Sequence, residues 1–242
     1  MKHTVEEVRL KNGARGLLID VPDATVMSFQ FHFRAGSRYV RDKDIYETAH
    51  IMEHMSFGAN EKFRSQALYD QEFVKNGAYY NAYTTEYSMG YEAFCADFEW
   101  DRVLELQRLA ITVPRFNAEE LEAEKGNVRS ELTGYLNNHN RVMWPRVQQA
   151  LGEDILTYNQ RLKTIANIEL KDIKNHHKRT HTLKNMRFVI AGKMTGRKSR
   201  IKEALEAWQL EEGERFEIPQ DNLHSAGPLL IRRKEASNLT FG

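Results

Sequence analysis

The sequence has very little cysteine: Cys95 is the single one among 242 residues. One thiol cannot form an internal disulfide, and such cysteine usage is typical of proteins from reducing compartments. No neighbouring residue in the sequence would activate this thiol as a nucleophile. We therefore predict that Cys95 is a buried residue of a strand, which excludes a cysteine-based catalytic site.

Long apolar runs and an excess of charge of one sign are also missing. No segment approaches the roughly 20 consecutive apolar residues that a membrane-spanning helix requires, and residues 1–7 lack the apolar core of a secretion signal. The 35 basic and 34 acidic side chains leave a net charge of +1. No global field therefore favours nucleic acid or anionic lipid, and we expect a protein that binds neither nucleic acid nor membranes. The missing membrane span and secretion signal predict a cytoplasmic location.

The most informative feature that is present is the pentad His-Ile-Met-Glu-His at residues 50–54. Its spacing, H-x-x-E-H, is that of an inverted zinc-hydrolase motif. On a helix, with about 100° between successive residues, His50, Glu53 and His54 point into one sector. These three side chains could therefore meet one metal ion and a water molecule. The alternative is two ordinary histidines on a partly exposed helix.

The residues around the pentad support a helix. Asp44 and Glu47 have the spacing of a capping box at its start, and Gly58 is typical of the position just after a helix ends. The opposite side of the helical wheel is mostly apolar and is predicted to be buried; it carries Ile45, Thr48, Ile51, Met52 and Met55.

A second long helix is predicted over residues 117–137. Asn117 would cap it, and an apolar stripe runs along it through Leu121, Val128, Leu132 and Tyr135. Glu124 and Glu131 lie two turns apart beside that stripe, where they could contribute to a metal site between two packed helices. The alternative is that both glutamates face solvent and pair with Lys125 and Arg129.

These residue types suit zinc hydrolysis. Two imidazoles and one carboxylate are a usual ligand set for catalytic zinc, and they leave a fourth position for water. Zinc lowers the pKa of its water from near 16 toward about 7. A carboxylate beside that water can accept its proton and deliver it to the leaving amine, a role that fits Glu53.

Three segments together resemble the pitrilysin/insulysin group of zinc metallopeptidases, which includes the mitochondrial processing peptidases. The pentad is one of them, and 76 residues separate His54 from Glu131. Residues 124–131, Glu-Lys-Gly-Asn-Val-Arg-Ser-Glu, are similar to the family's second motif, and residues 75–86 to its G-x-x-x-N-A-x-T strand. The resemblance runs from about Val8 to about Met194.

The resemblance implies a role for each site residue. His50, His54 and Glu131 would bind one zinc ion, Glu53 would be the general base, and Glu124 would support a histidine ligand. The residues implied to border the peptide substrate are Asn81, Ala82, Tyr83 and Thr84. Family enzymes consist of two homologous halves that enclose the active site, so a second half or a partner chain is also implied.

The secondary-structure signals predict an α+β fold for residues 1–210, with an antiparallel or mixed sheet and helices on one face. Residues 5–10 and 17–21 indicate a hairpin, and residues 27–34 alternate between apolar and polar side chains. Residues 211–228 are typical of a linker. Residues 229–242 then look like the opening strands of a second half, so we expect either a fragment, a partner-dependent subunit or a self-associating protein.

Two further patterns have alternative interpretations. The tyrosine-rich segment 79–91 is typical of cross-strand packing, whereas residues 81–84 alone are interpreted as an edge strand that pairs with an extended substrate. His176, His177 and His181 lie among basic residues, so we predict a solvated basic helix face there rather than a metal site.

The sequence thus predicts a zinc-dependent endopeptidase. The alternative is a non-catalytic homologue that serves as a structural or partner subunit, although the intact motif disfavours it. A nucleic-acid-binding module is disfavoured by the near-neutral net charge.

Overall fold

The computed structural model describes residues 2–231, and six strands in this part of the chain form one mixed sheet. The strands are β1 (Thr4–Arg9), β2 (Arg15–Asp20), β3 (Val26–Phe33), β4 (Tyr79–Thr84), β5 (Met89–Ala96) and β6 (Arg187–Gly192). Their order across the sheet is β1-β2-β6-β3-β5-β4. Strands β2 and β6 run parallel, and the other neighbours run antiparallel.

Eight α-helices accompany this sheet within the described residues. They are α1 (Thr48–Ser56), α2 (Gln66–Phe73), α3 (Trp100–Thr112), α4 (Ala118–Tyr135), α5 (His139–Ala150), α6 (Tyr158–Thr164), α7 (Leu170–Thr180) and α8 (Lys198–Glu206). The predicted α+β fold with a mixed sheet is therefore confirmed. The short helix α6 has no predicted counterpart, although a capping box formed by Thr157 and Gln160 starts it.

Strand β3 shows why one face of the sheet carries the core. Met27, Phe29, Phe31 and Phe33 are all buried, whereas the residues between them are only partly covered. This is the alternation that the sequence predicts. At about 25 cal/mol per Å², burying each of the three phenylalanines contributes roughly 2–3 kcal/mol, so β3 is anchored at the centre of the sheet.

Strand β4 forms one edge of the sheet and packs beside α1. Tyr83 lies opposite Gly90 of β5, and a Cβ atom at position 90 would come within 2.5 Å of the tyrosine ring. A side chain at position 90 would therefore displace the Tyr83 ring, which covers this glycine. Cys95 of β5 is buried, as predicted, and burial raises the pKa of its thiol to about 12.

The start of α1 differs from the prediction. The helix begins at Thr48, and Asp44 lies in a separate short 3₁₀ turn that Asp42 caps by accepting a hydrogen bond from the Asp44 N–H (2.8 Å). The capping box assigned to Asp44 and Glu47 is therefore wrong. The physical reason is that the Glu47 carboxylate is fully buried and has other partners, described below.

After α8, residues 207–231 contain neither helix nor strand, but they do not lie apart from the domain. Residues 211–224, here called the 211–224 segment, bind the rest of the domain through backbone and side-chain contacts. The Leu183 N–H donates to the Glu211 carbonyl (2.9 Å), and the His224 N–H donates to that of Leu151 (3.0 Å).

The Asp221 carboxylate joins three separate parts of the chain. It forms an ion pair with Arg38 (2.7 Å), and it accepts hydrogen bonds from the Asp154 N–H (2.9 Å) and the Tyr87 hydroxyl (3.2 Å). Both members of the Arg38–Asp221 pair are almost fully buried. The 211–224 segment is thus fastened beside the loops that follow β4 and α5.

The opening strands of a second half were predicted over residues 229–242. Residues 229–231 have no regular secondary structure, and residues 232–242 lie outside the described part of the chain. The predicted domain boundaries therefore stay predictions. None of the helices within residues 2–231 is both long enough and apolar enough to cross a bilayer.

Candidate metal centre

Helices α1 and α4 bring together the three side chains that the sequence selects as metal ligands. The Nε2 atoms of His50 and His54 lie 3.4 and 3.6 Å from Oε2 of Glu131. One ligand atom from each residue falls within 4.8 Å of the other two. Although 76 residues separate His54 from Glu131 in the sequence, the three groups converge on one point.

The two helices meet there because each buries the side opposite or adjacent to its polar groups. Ile51, Met52 and Met55 of α1 are buried, as are Leu121, Val128 and Leu132 of α4. These are the apolar residues that the wheel patterns select. The start of α4 is also as predicted, since the Asn117 side chain accepts a hydrogen bond from the Glu120 N–H (2.9 Å).

Each histidine is oriented by a carboxylate on its other ring nitrogen. His54 Nδ1 donates to Oε2 of Glu124 (2.9 Å), and His50 Nδ1 donates to Oε2 of Glu47 (3.0 Å). Such hydrogen bonds fix the tautomer that leaves Nε2 free for a metal. Glu124 was selected from the sequence, whereas Glu47 was not. Its spacing of three residues before His50 on a helix was the signal that could have identified it.

Glu47 is itself held by Arg161 of α6. Two guanidinium nitrogens donate to the two carboxylate oxygens, with Nη2 lying 2.9 Å from Oε2, and the Glu47 side chain is completely buried. Burial alone would raise the pKa of Glu47, but the charge of Arg161 and the contact with His50 lower it to about 2. Glu47 is therefore a permanent anion behind the first histidine.

The electrostatics of this cluster favour a bound cation. Burial alone would lower the pKa of His50 and of His54. Hydrogen bonds accepted by Glu131 and Glu47 nevertheless raise the pKa of His50 to about 9, and those accepted by Glu124 and Glu131 raise the pKa of His54 to about 10. The surplus of carboxylates thus stabilises positive charge at the point where the ligand atoms converge. Two imidazoles and one carboxylate with supporting carboxylates fit a zinc ion.

Glu53 lies on α1 between the two histidines and does not belong to the converging trio. Burial raises the pKa of its carboxyl group, while His50, His54 and the nearby Thr84 oppose that rise. A buried carboxylate with a raised pKa beside a metal site accepts a proton more readily than one in water. The position and environment of Glu53 suit a general base.

The four residues predicted to border a substrate lie on β4 at the sheet edge. Ala82 and Thr84 are on the face that the helices cover, and Thr84 is close enough to Glu53 to lower the pKa of its carboxyl group. Asn81 and Tyr83 are exposed on the other face, where the Tyr83 hydroxyl lies 3.3 Å from Nδ1 of His32. Contact of this strand with a substrate stays a prediction.

A cavity of about 470 Å³ opens directly onto the candidate metal centre. It lies between the start of α1, the end of β4 and helices α4, α5 and α6, and both His50 and Glu131 line it. Four aromatic side chains, Tyr46, Tyr135, Trp144 and Tyr158, share the wall with polar and charged groups. Its size suits the side chains of a peptide.

The second histidine cluster is not the solvated basic face that the sequence predicts. His176 and His181 of the α7 region are only 4% and 2% exposed. His176 Nε2 donates to the Ala35 carbonyl (2.8 Å), and His181 Nε2 lies 2.8 Å from the Tyr91 hydroxyl. Burial lowers the pKa of His176 and of His177 to about 4. The prediction is wrong because α7 packs against α1 and buries this face. Buried carbonyl and hydroxyl groups form hydrogen bonds with the neutral imidazole rings.

Comparison with solved structures gives the same fold. A structure described as the peptidase M16 inactive domain from Pseudomonas fluorescens has a TM-score of 0.77 at 15% identity, covering 93% of this chain and 54% of that one. Pitrilysin also has a TM-score of 0.77, at 19% identity, and the match covers 91% of this chain and 24% of pitrilysin.

Proteins with related sequences are also described as peptidases or proteases. The chain is 32% identical over 151 residues to the human mitochondrial-processing peptidase subunit beta, which covers 60% of this chain but only 30% of that protein. An uncharacterized zinc protease of Rickettsia bellii is 24% identical over 170 residues, or 41% of its length. The chain therefore spans well under two thirds of these relatives. The family described as Insulinase (Peptidase family M16) matches residues 17–166, and the chain belongs to it.

Proposed function

We propose that this protein is the catalytic part of a zinc-dependent endopeptidase. The observation that carries the proposal is the convergence of His50, His54 and Glu131 from two separate helices, with their ligand atoms within 4.8 Å of one another. Glu47 and Glu124 support it, because each orients one imidazole so that Nε2 faces the shared point. Chance neighbours on a helix surface would not have both supporting carboxylates.

The residues of the chain divide the hydrolytic work between them. A zinc ion held by the trio would supply Lewis acidity to a water molecule and to the scissile carbonyl. Glu53 takes a proton from the attacking water and later delivers it to the nitrogen of the leaving amine. Glu124 and Glu47 accept hydrogen bonds from Nδ1 of the two imidazoles and so orient each Nε2 toward the shared point.

An extended peptide would bind by strand addition to β4. An edge strand offers unpaired main-chain N–H and carbonyl groups, and these give affinity without demanding one particular sequence. β4 has one free edge in the described sheet, and its Thr84 end reaches Glu53. A peptide paired with residues 81–84 would therefore carry its backbone toward the candidate base.

A non-catalytic subunit is the second candidate, since one structure with this fold is described as an inactive domain. The complete ligand trio and the buried Glu53 favour catalysis instead. Because the chain spans 30% of the human relative and 24% of pitrilysin, we propose that a second homologous half or a partner chain completes the substrate site. A cytoplasmic location and the absence of nucleic-acid or membrane partners stay predictions from the sequence.

The decisive experiment compares the wild-type chain with the Glu53→Gln variant after zinc loading. We expect both proteins to hold one zinc ion, measured by atomic emission, while peptide hydrolysis is lost in the variant. A Glu122→Gln variant is the matched control, since the Glu122 side chain is 71% exposed on α4, and it should keep both properties. Equal hydrolysis by wild type and Glu53→Gln would refute the assigned base, and absence of both zinc and hydrolysis in the wild type would favour the non-catalytic alternative.

A further inference from the structure

Some charged groups that line the cavity beside the metal centre have a partner of opposite charge, and others have none within the described residues. The Glu47 carboxylate is paired with Arg161, and the Glu131 carboxylate contacts His50 and His54. Arg141, on the first turn of α5, also lines the cavity. Within residues 2–231, however, it forms no ion pair with a carboxylate.

Arg141 is nevertheless held in place relative to the candidate metal centre. Its guanidinium lies 3.8 Å from the centre of the Tyr135 ring, which is a close cation–π contact. The Tyr135 hydroxyl in turn donates a hydrogen bond to Oε1 of Glu131. A single aromatic ring thus links the guanidinium to a candidate metal ligand. The hydroxyls of Tyr158 and Tyr135 are also hydrogen-bond partners of this guanidinium. A guanidinium has five N–H donors, so some of them stay available for an incoming acceptor.

The opposite wall of the cavity carries a competing charge. Glu86, two residues after the end of β4, lines the cavity and also forms no ion pair within the described residues. It could select basic peptides as readily as Arg141 could select acidic ones. The two groups differ in one respect: Arg141 is linked to Glu131 through Tyr135, whereas Glu86 lies toward the loop after β4 and has no such link.

We propose that Arg141 is a specificity-determining residue that binds a carboxylate of the peptide, so that the enzyme prefers substrates with an acidic group close to the cleaved bond. A planar guanidinium can donate two parallel hydrogen bonds to a carboxylate. The carboxylate can come from an aspartate or glutamate side chain or from a free C-terminus. The inference rests on the proposed function, because it assumes that peptides occupy this cavity.

Peptide binding without hydrolysis tests the inference. Fluorescent peptides that differ only by Glu or Gln, moved through successive positions of one scaffold, are titrated against the Glu53→Gln protein with and without Arg141→Gln. Each peptide is made with a free and with an amidated C-terminus, which separates the two carboxylate sources. Loss of a charge-assisted pair should weaken binding of the preferred acidic peptide on the order of tenfold, while the matched Gln peptide is unaffected.

Two further variants make the test specific. Arg146→Gln removes a charge five positions further along α5 and outside the cavity lining, so it should not alter the ratio of Glu to Gln peptide affinities. Arg141→Glu should reverse the preference toward a Lys peptide. Thermal unfolding of each variant should match that of the parent, because Arg141 is exposed at the cavity rim.

The inference would be overturned by an unchanged Glu-to-Gln affinity ratio in Arg141→Gln, by a ratio that responds to Glu86→Gln instead, or by no measurable binding of any peptide. These results are distinguishable from failure of the proposed function. Glu53-dependent hydrolysis with no effect of Arg141 would retain the peptidase and reject the carboxylate site. An Arg141-dependent preference in a protein that never hydrolyses peptides would retain the site and reject the peptidase.

Discussion

Replacing Glu47 with glutamine keeps the size of the side chain but removes its charge. In the folded protein this leaves Arg161, whose side chain is only 22% exposed, without a counterion and gives His50 a weaker acceptor at Nδ1. Breaking a buried ion pair by removing one partner typically costs about 3–5 kcal/mol, because the other charge remains desolvated. For a domain of this size, each kcal/mol corresponds to about 2–4 °C of melting temperature, so Glu47→Gln should lower it on the order of 10 °C.

The same substitution should weaken metal binding separately from its effect on stability. Groups that orient a metal-binding histidine typically contribute about 10- to 100-fold to affinity. We therefore expect zinc affinity, measured by competition with a chromophoric chelator at a temperature where all proteins are folded, to fall by that factor. Glu122→Gln is the control, because the Glu122 side chain is 71% exposed and a surface ion pair of this kind contributes at most about 0.5 kcal/mol.

A double variant separates the two effects of Glu47. Replacing both Glu47 and Arg161 with methionine removes the buried pair altogether, and such replacements are often neutral for stability. The double variant should recover most of the melting temperature but not the zinc affinity, since His50 still lacks its acceptor. If Glu47→Gln melts within about 1 °C of the wild type and binds zinc equally well, the reasoning about this buried pair is refuted.

Three further predictions concern other parts of the molecule. Because the pKa of His176 is about 4 in the folded chain and about 6.5 unfolded, the unfolded chain binds more protons between these values, so stability should fall as pH drops through this window. The free energy of unfolding should fall by about 2 kcal/mol by pH 5. His176→Gln should flatten the pH dependence of the urea midpoint. An unchanged dependence of that midpoint on pH would contradict this prediction. Asp221→Asn breaks the buried pair with Arg38, so it should lower the melting temperature and speed proteolytic cleavage within the 211–224 segment. Equal cleavage rates in the variant and the wild type would count against the role of Asp221 in fastening this segment. Tyr83→Pro removes a backbone donor from β4 and should abolish peptide turnover while bound zinc is retained, so joint loss of both would argue for misfolding instead.

Much of the fold and of the candidate centre was accessible from local patterns. The alternation in β3, the turn between β1 and β2, and the Asn117 cap of α4 all occur where the sequence places them. The same holds for the pentad, since side chains three and four residues apart on a helix share one side whatever surrounds them. Spacing alone suggested that Glu124 and Glu131 flank the buried stripe of α4.

What the sequence determined by itself is the set of interactions between residues close along the chain, because helix and strand periodicity fixes the directions of neighbouring side chains. Only the tertiary structure decided the partners of buried charges. Glu47 and Arg161 are 114 positions apart and meet through packing of α6 near α1, and no local period encodes that meeting. The burial of His176 and the fastening of Asp221 were decided in the same way: each depends on which distant carbonyl or guanidinium packing brings within hydrogen-bond reach.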